Sequence, residues 1–247
     1  YSATQDWNMA ARGVLFILTI FGCVVLHELG HALAAARYGI RTRDITLLPI
    51  GGVANLERIP EDPRKEFTIA IAGPAVNVVI AAALFLVITI TGRLHTGEMG
   101  LESGRFVGNQ FLTNLMWVNI LLLVFNLIPA FPMDGGRILR SLLATRMAYA
   151  RATQIAATVG QGFAIVFGIL GLFHNLFLVF IAVFIYLGAE AEAQMAAFRS
   201  AFRDVPVREA MMTRFRALLA DDPLDVAIDE LLAGSQQDFP VMSDGRV

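Results

Sequence analysis

The 247 residues are 56% hydrophobic and only 16% charged, with a net charge of −2 and a single cysteine. This is more apolar than the roughly 45–50% usual for soluble chains; the lone Cys23 excludes an internal disulfide framework, and no basic patch with interleaved aromatics points to nucleic acid. The apolar residues gather in long runs, which makes the chain a polytopic, all-helical membrane protein rather than a soluble one with a large core.

Five segments, at 10–36, 67–91, 109–132, 153–173 and 176–197, are long enough to cross a hydrocarbon core of about 30 Å at about 1.5 Å per residue. The first lacks a basic leader and is followed by no cleavage site, so it reads as a span and not as a signal peptide. The chain opens on Tyr1 and stops on Val247, just after the turn-like Ser243-Asp244-Gly245, which reads as a piece of a longer protein.

The first span carries His27-Glu28-Leu29-Gly30-His31. On a helix the two histidines are four apart and share one face, so two imidazoles can hold one metal. Glu28 follows the first ligand and can reach a water at that metal as general base. Cys23, one turn earlier, reads as a small apolar filler. After this span, Ile45–Leu56 is apolar yet too short to cross. It reads as an extended hairpin around Gly51 and Gly52, near the site, whose edge can pair with a substrate strand.

The second span contains Gly73-Pro74-Ala75-Val76-Asn77, a helix interrupted early by Gly-Pro. Asn77 reads either as a buried packing amide or as part of the lining of the same cavity, touching substrate. The third span ends in Asn126-Leu-Ile-Pro129-Ala-Phe-Pro132-Met-Asp134-Gly135-Gly136, where the prolines and glycines break the helix, expose backbone and let the Asp134 carboxylate be aimed. The fourth and fifth spans meet at His174-Asn175 as a tight hairpin. From 204 to 247 the chain turns polar, with a helix expected from Asp222 as N-cap and Pro223 as first helical residue, and a short strand at Phe239–Met242.

Lys and Arg alternate along the connections. Residues 37–66, the stretch after the third span and the C-terminal segment are rich in them; 92–108 and the His174 turn are poor. By the positive-inside rule the rich sides and the C-terminus are cytoplasmic. His27, His31 and Asp134 then all arrive at one depth, toward the cytoplasmic face. A zinc hydrolase site takes about three protein ligands and one open position. His95 and His174 fall in the outer loops, which leaves Asp134 as the third ligand. Asn126 is a candidate for the oxyanion or for pinning substrate, with a helix-to-helix hydrogen bond as the alternative. Arg137 and Arg140 read as snorkelling interfacial anchors. The chemistry implied is Zn2+-dependent peptide hydrolysis, with Glu28 activating the zinc-bound water; a zinc transporter or metal-gated sensor is the rival from another class.

Taken together, His27-Glu28-Leu-Gly-His31, Leu48-Pro-Ile-Gly-Gly-Val53, Gly73-Pro-Ala-Val-Asn77 and Asn126 through Gly136 resemble the site-2 protease family of intramembrane zinc metalloproteases, over roughly residues 10–200. The resemblance implies a core of about six spans. It also implies one zinc on His27, His31 and Asp134, catalysis by Glu28, assistance by Asn126, and cleavage of the spans of single-pass membrane proteins in regulated intramembrane proteolysis. Residues 204–247 resemble the start of a CBS domain, an α/β unit that binds adenine nucleotides when complete. The domains expected are therefore 1–200, a transmembrane protease, and 204–247, a partial CBS domain.

Overall fold

The computed structural model describes residues 2–48, 51–56, 60–91, 111–202, 205–211, 215–234, 236 and 238–243. It forms two compact units, Tyr1–Phe198 and Arg199–Val247. The first contains α1 (Ser2–Ala36), β1 (Thr42–Leu48), β2 (Gly51–Leu56), α2 (Pro63–Ile90), α3 (Phe111–Asn126), α4 (Asp134–Ala144), α5 (Tyr149–His174) and nearly all of α6 (Leu176–Phe202).

Four of these helices, α1, α2, α5 and α6, are long and apolar enough to cross a membrane. Only 22–28% of the residues in their apolar windows are buried inside the protein. Much of the remainder, including Leu18, Val79, Leu172 and Phe180, is exposed large apolar surface that lipid can cover without cost.

The expected third span is shorter than its apolar run. Helix α3 has 16 residues, about 24 Å, and ends at Asn126 because Pro129 disfavours helical backbone at Ile128 and clashes with the carbonyl four residues back. The seven residues that follow do leave the helix, but they are only partly exposed: Leu127 and Pro132 are exposed, whereas Ala130, Phe131 and Met133 are buried. The expected interruption at Gly73-Pro74 is also absent. Helix α2 runs through both residues, losing the one backbone hydrogen bond that proline cannot donate. Its start follows the usual rules: Pro63 opens the helix and Asp62 caps it, accepting from the Arg64 N–H at 3.0 Å.

The helices pack through large apolar side chains on one side of the bundle and mostly through small ones, which membrane interfaces favour, on the other. On one side Phe16 and Cys23 of α1 meet Ile80 and Leu84 of α2 and Leu115 of α3. On the other, Phe131 is enclosed by Ala156 and Ala157 of α5 and Ala189 and Ala193 of α6. A Cβ at Gly160 would lie 3.1 Å from the Ala130 Cα, and one at Gly188 would lie 2.7 Å from Pro132. The α5–α6 hairpin is thus shaped to grip the irregular segment before α4.

The hairpin of β1 and β2 is antiparallel, with Leu48 opposite Gly51 and Leu47 opposite Gly52, and a register shift between Thr42 and Asp44. It follows α1 directly through the turn at Gly39, whose φ of 70° suits a residue without Cβ. The end of α1 packs on α2 through Ala34, Ala35, Ile40 and Ile69.

Arg140 is not an interfacial anchor. It is 1% exposed. Its Nε donates to Glu66 Oε1 of α2 at 2.8 Å, and its Nη1 donates to Glu192 Oε2 of α6 at 2.9 Å. Its guanidinium lies over the Phe131 and Tyr149 rings, 4.8 and 5.0 Å from their centroids. Snorkelling needs a water-facing head, and here two carboxylates replace the water.

The second unit contains α7 (Val207–Ala210), β3 (Leu218–Leu219), α8 (Leu224–Ala233) and β4 (Val241–Met242), with β3 and β4 parallel. Helix α8 starts one residue later than expected, because Asp222 turns its carboxylate back to the Leu219 N–H at 2.7 Å while Pro223 takes the cap position.

Candidate metal centre

Helix α1 delivers two imidazoles to one point. His27 Nε2 and His31 Nε2 lie 3.1 Å apart, and each lies 3.1 Å from Oδ2 of Asp134. All three side chains are buried. Among the described residues they form the one group of His, Cys, Asp or Glu able to share a metal ion.

The donor set fits a metal better than it fits a hydrogen-bonded triad. His31 Nδ1 lies 2.7 Å from the Ile69 carbonyl of α2, and a carbonyl can only accept, so Nδ1 carries a proton and the neutral ring presents its lone pair at Nε2. That lone pair meets a carboxylate oxygen and a second imidazole nitrogen at once. Bond lengths of about 2.0–2.2 Å to zinc place tetrahedral ligand atoms about 3.3–3.5 Å apart, close to the observed triangle. The His31–Ile69 bond is the outer support that metal-binding histidines regularly have.

Asp134 reaches this point differently from the expectation. It does not end the third span; it opens the separate short helix α4, with Met133 in the cap position. Gly135 and Gly136 matter for close approach and not for aiming the chain. A Cβ on Gly135 would collide with the carbonyl oxygens of Ile128 and Leu127, and one on Gly136 would lie 2.7 Å from the Phe131 nitrogen. The first turn of α4 is therefore packed against the backbone of the segment before it. Gly135→Ala is expected to displace Asp134 and to weaken metal binding by at least tenfold, read by chelator competition.

Gly73 has a role the sequence reading missed. A Cβ there would lie 2.6 Å from His27 Nε2 and closer still to His31 Nε2. Only a residue without a side chain leaves room for the two imidazoles. In the sequence its pairing with Pro74 hid this, because Gly-Pro reads as helix punctuation.

Glu28 is buried beside His27. Asn126 closes α3 with its Nδ2 donating to the Leu122 carbonyl at 3.0 Å, so one of its two amide hydrogens is engaged within its own helix. Asn77 lies one turn beyond Gly73 on the same side of α2 and is 0% exposed. Neither atom of its amide, nor His27 Nδ1, has a protein hydrogen-bond partner among the described residues. Cys23 fills the α1–α3 interface as expected, 3.5 Å from Asn119 Nδ2. Gly51 and Gly52 open β2 opposite the end of β1. His174 is exposed at the end of α5 and takes no part; His95 lies outside the described residues.

The family model of peptidase family M50 matches residues 15–106 and 106–169. A zinc metalloprotease of Methanocaldococcus jannaschii is 36% identical over 241 residues, 97% of this chain and 67% of that protein. Stage IV sporulation protein FB of Bacillus subtilis is 28% identical over 169 residues, 66% of this chain and 54% of that protein. The solved site-2 protease from Methanocaldococcus jannaschii superposes with a TM-score of 0.55 at 36% identity, covering 75% of this chain and 88% of that one. The chain thus spans two thirds of one of these relatives and about half of another. Its metal-ligand triad, its apolar helices and these matches agree: the chain belongs to peptidase family M50, the site-2 protease family of membrane zinc metalloproteases.

Proposed function

We propose that the chain is the membrane part of a zinc endopeptidase that cuts the transmembrane segments of single-pass proteins in regulated intramembrane proteolysis. The observation that carries this is the convergence of His27, His31 and Asp134 between helices long enough to cross a bilayer. Zinc held by His27, His31 and Asp134 would supply Lewis acidity and lower the pKa of water toward neutrality. His27 and His31 present their Nε2 lone pairs, and Asp134 adds the negative charge that offsets the dication. Glu28 takes the proton of the attacking water and returns it to the leaving amine. Asn126 and Asn77 are the amides available to hold substrate backbone or the developing oxyanion once local rearrangement frees them.

A peptide bond in a helix is shielded by its neighbours, so substrate must be extended at the site. The β1–β2 ribbon has two antiparallel strands, and such a ribbon offers an edge on which a substrate strand can pair near Gly51 and Gly52. The Lys and Arg alternation along five apolar segments supports a cytoplasmic C-terminus and a metal site toward the cytoplasmic side, and the family resemblance implies a core of about six spans. The parallel β3–β4 pair with α8 supports the start of a CBS domain, which would bind adenine nucleotide only when complete.

The test is cleavage of purified single-span proteins by the full chain in proteoliposomes. A zinc chelator is expected to stop cleavage and added Zn2+ to restore it. Zinc uptake into the vesicles with no cleavage of any span would favour a transporter instead.

A further inference from the structure

We propose that Arg140 is a positioning residue for the metal centre, setting the distance between Asp134 and His31 although it touches neither. The proposal rests on the metal-site reading above. One guanidinium is engaged on every side. Through Glu66 it is tied to α2, one turn before Ile69, whose carbonyl orients His31. Through Phe131 it is stacked on the irregular segment three residues before Asp134. Arg140 itself belongs to α4, the helix that Asp134 opens. Glu192 of α6 and the Tyr149 ring of α5 complete its surroundings.

Asp134 is thus fixed from both chain directions by one side chain, and the same side chain holds the element that fixes His31. The first turn of this 11-residue helix is otherwise held by backbone contact at Gly135 and Gly136, and Met133 caps it with no side-chain hydrogen bond. A planar fork with two stacking faces suits this task, and a lysine does not reproduce it. Lysine keeps the charge while giving up both the divergent hydrogen bonds and the stacking.

The test uses the full chain in detergent, as wild type, Arg140→Lys and Glu192→Gln, with Asp134→Ala as the reference for a lost ligand. Zinc affinity is measured by chelator competition, and the visible absorption of the Co2+-loaded protein reports ligand geometry. Thermal unfolding of the metal-free protein reports fold alone. Arg140→Lys is expected to bind zinc 10–100-fold more weakly and to show an altered Co2+ spectrum, with Glu192→Gln shifting both in the same direction by less. Should Arg140→Lys not fold, Glu192→Gln carries the same comparison. Lowered thermal stability with wild-type zinc affinity and an unchanged Co2+ spectrum means that the network is merely structural, and overturns the proposal. If Asp134→Ala instead binds zinc as wild type does, the metal-site reading itself fails.

Discussion

Glu28→Gln is expected to leave zinc bound and to slow peptide cleavage by about 10²–10⁴-fold, the usual worth of a positioned acid–base group. Glutamine keeps the volume and a hydrogen-bonding oxygen, so the buried helix face around His27 and His31 need not repack. What it removes is the ability to accept a proton from water and pass it to the leaving amine. The metal ligands are other residues, which is why binding and turnover separate. The measurement is cleavage rate beside zinc content in the same preparation. Cleavage within a few-fold of wild type would show that another group serves as base.

Gly73→Ala has the opposite signature and a comparably large effect: the metal goes first, and activity with it. In a helix interior, alanine is favoured over glycine by about 1 kcal/mol, so propensity alone predicts a more stable α2. The close approach reverses that sign. The added carbon would stand 2.6 Å from His27 Nε2 and 2.6 Å from His31 Cε1, well inside contact distance. His31 cannot swing away without breaking its 2.7 Å bond to the Ile69 carbonyl. Zinc affinity is expected to fall at least about 100-fold, or about 2.7 kcal/mol. Gly162→Ala is the control, since nothing lies within 4 Å of its added carbon, and zinc and cleavage should be unchanged. Isothermal zinc titration of the two variants in detergent checks both expectations.

The candidate ligands are legible in the sequence because they break a strong local rule. Ionisable groups inside apolar runs are costly, so His27, Glu28, His31 and Asp134 stand out against the residues around them, and helical spacing alone puts the two histidines on one face. The four long helices were legible for a related reason, since length and composition are local properties. The parts that sequence reasoning misplaced depend on tertiary neighbours. Gly73 and Pro74 looked like a break because their local preference is for one, while the packing of α1 against α2 needs a residue without Cβ and keeps the helix intact. In the sequence Asp134 reads as the end of a span, because the prolines do not say that a new helix starts after them.

Arg140 illustrates the same limit for charge. A basic residue just past an apolar run looks like an anchor, and Glu66 and Glu192 look like ordinary surface acids near helix ends. Nothing in their sequence separation, 74 and 52 residues from Arg140, links them. The fold brings two carboxylates onto one guanidinium and buries it, and removing one partner of such a buried pair costs about 3–5 kcal/mol. A faint signal was present, since Arg140 is six residues from Asp134 in a helix too short and too polar to be a span.

A zinc held by two imidazoles and one carboxylate inside a membrane helix bundle leaves a distinct signature in X-ray absorption at the zinc edge of the full chain. The expected spectrum shows a first shell of about four nitrogen and oxygen neighbours at about 2.0–2.2 Å, with the outer-shell scattering of two imidazoles. A sulfur neighbour at about 2.3 Å, or an all-oxygen shell without imidazole scattering, would contradict it.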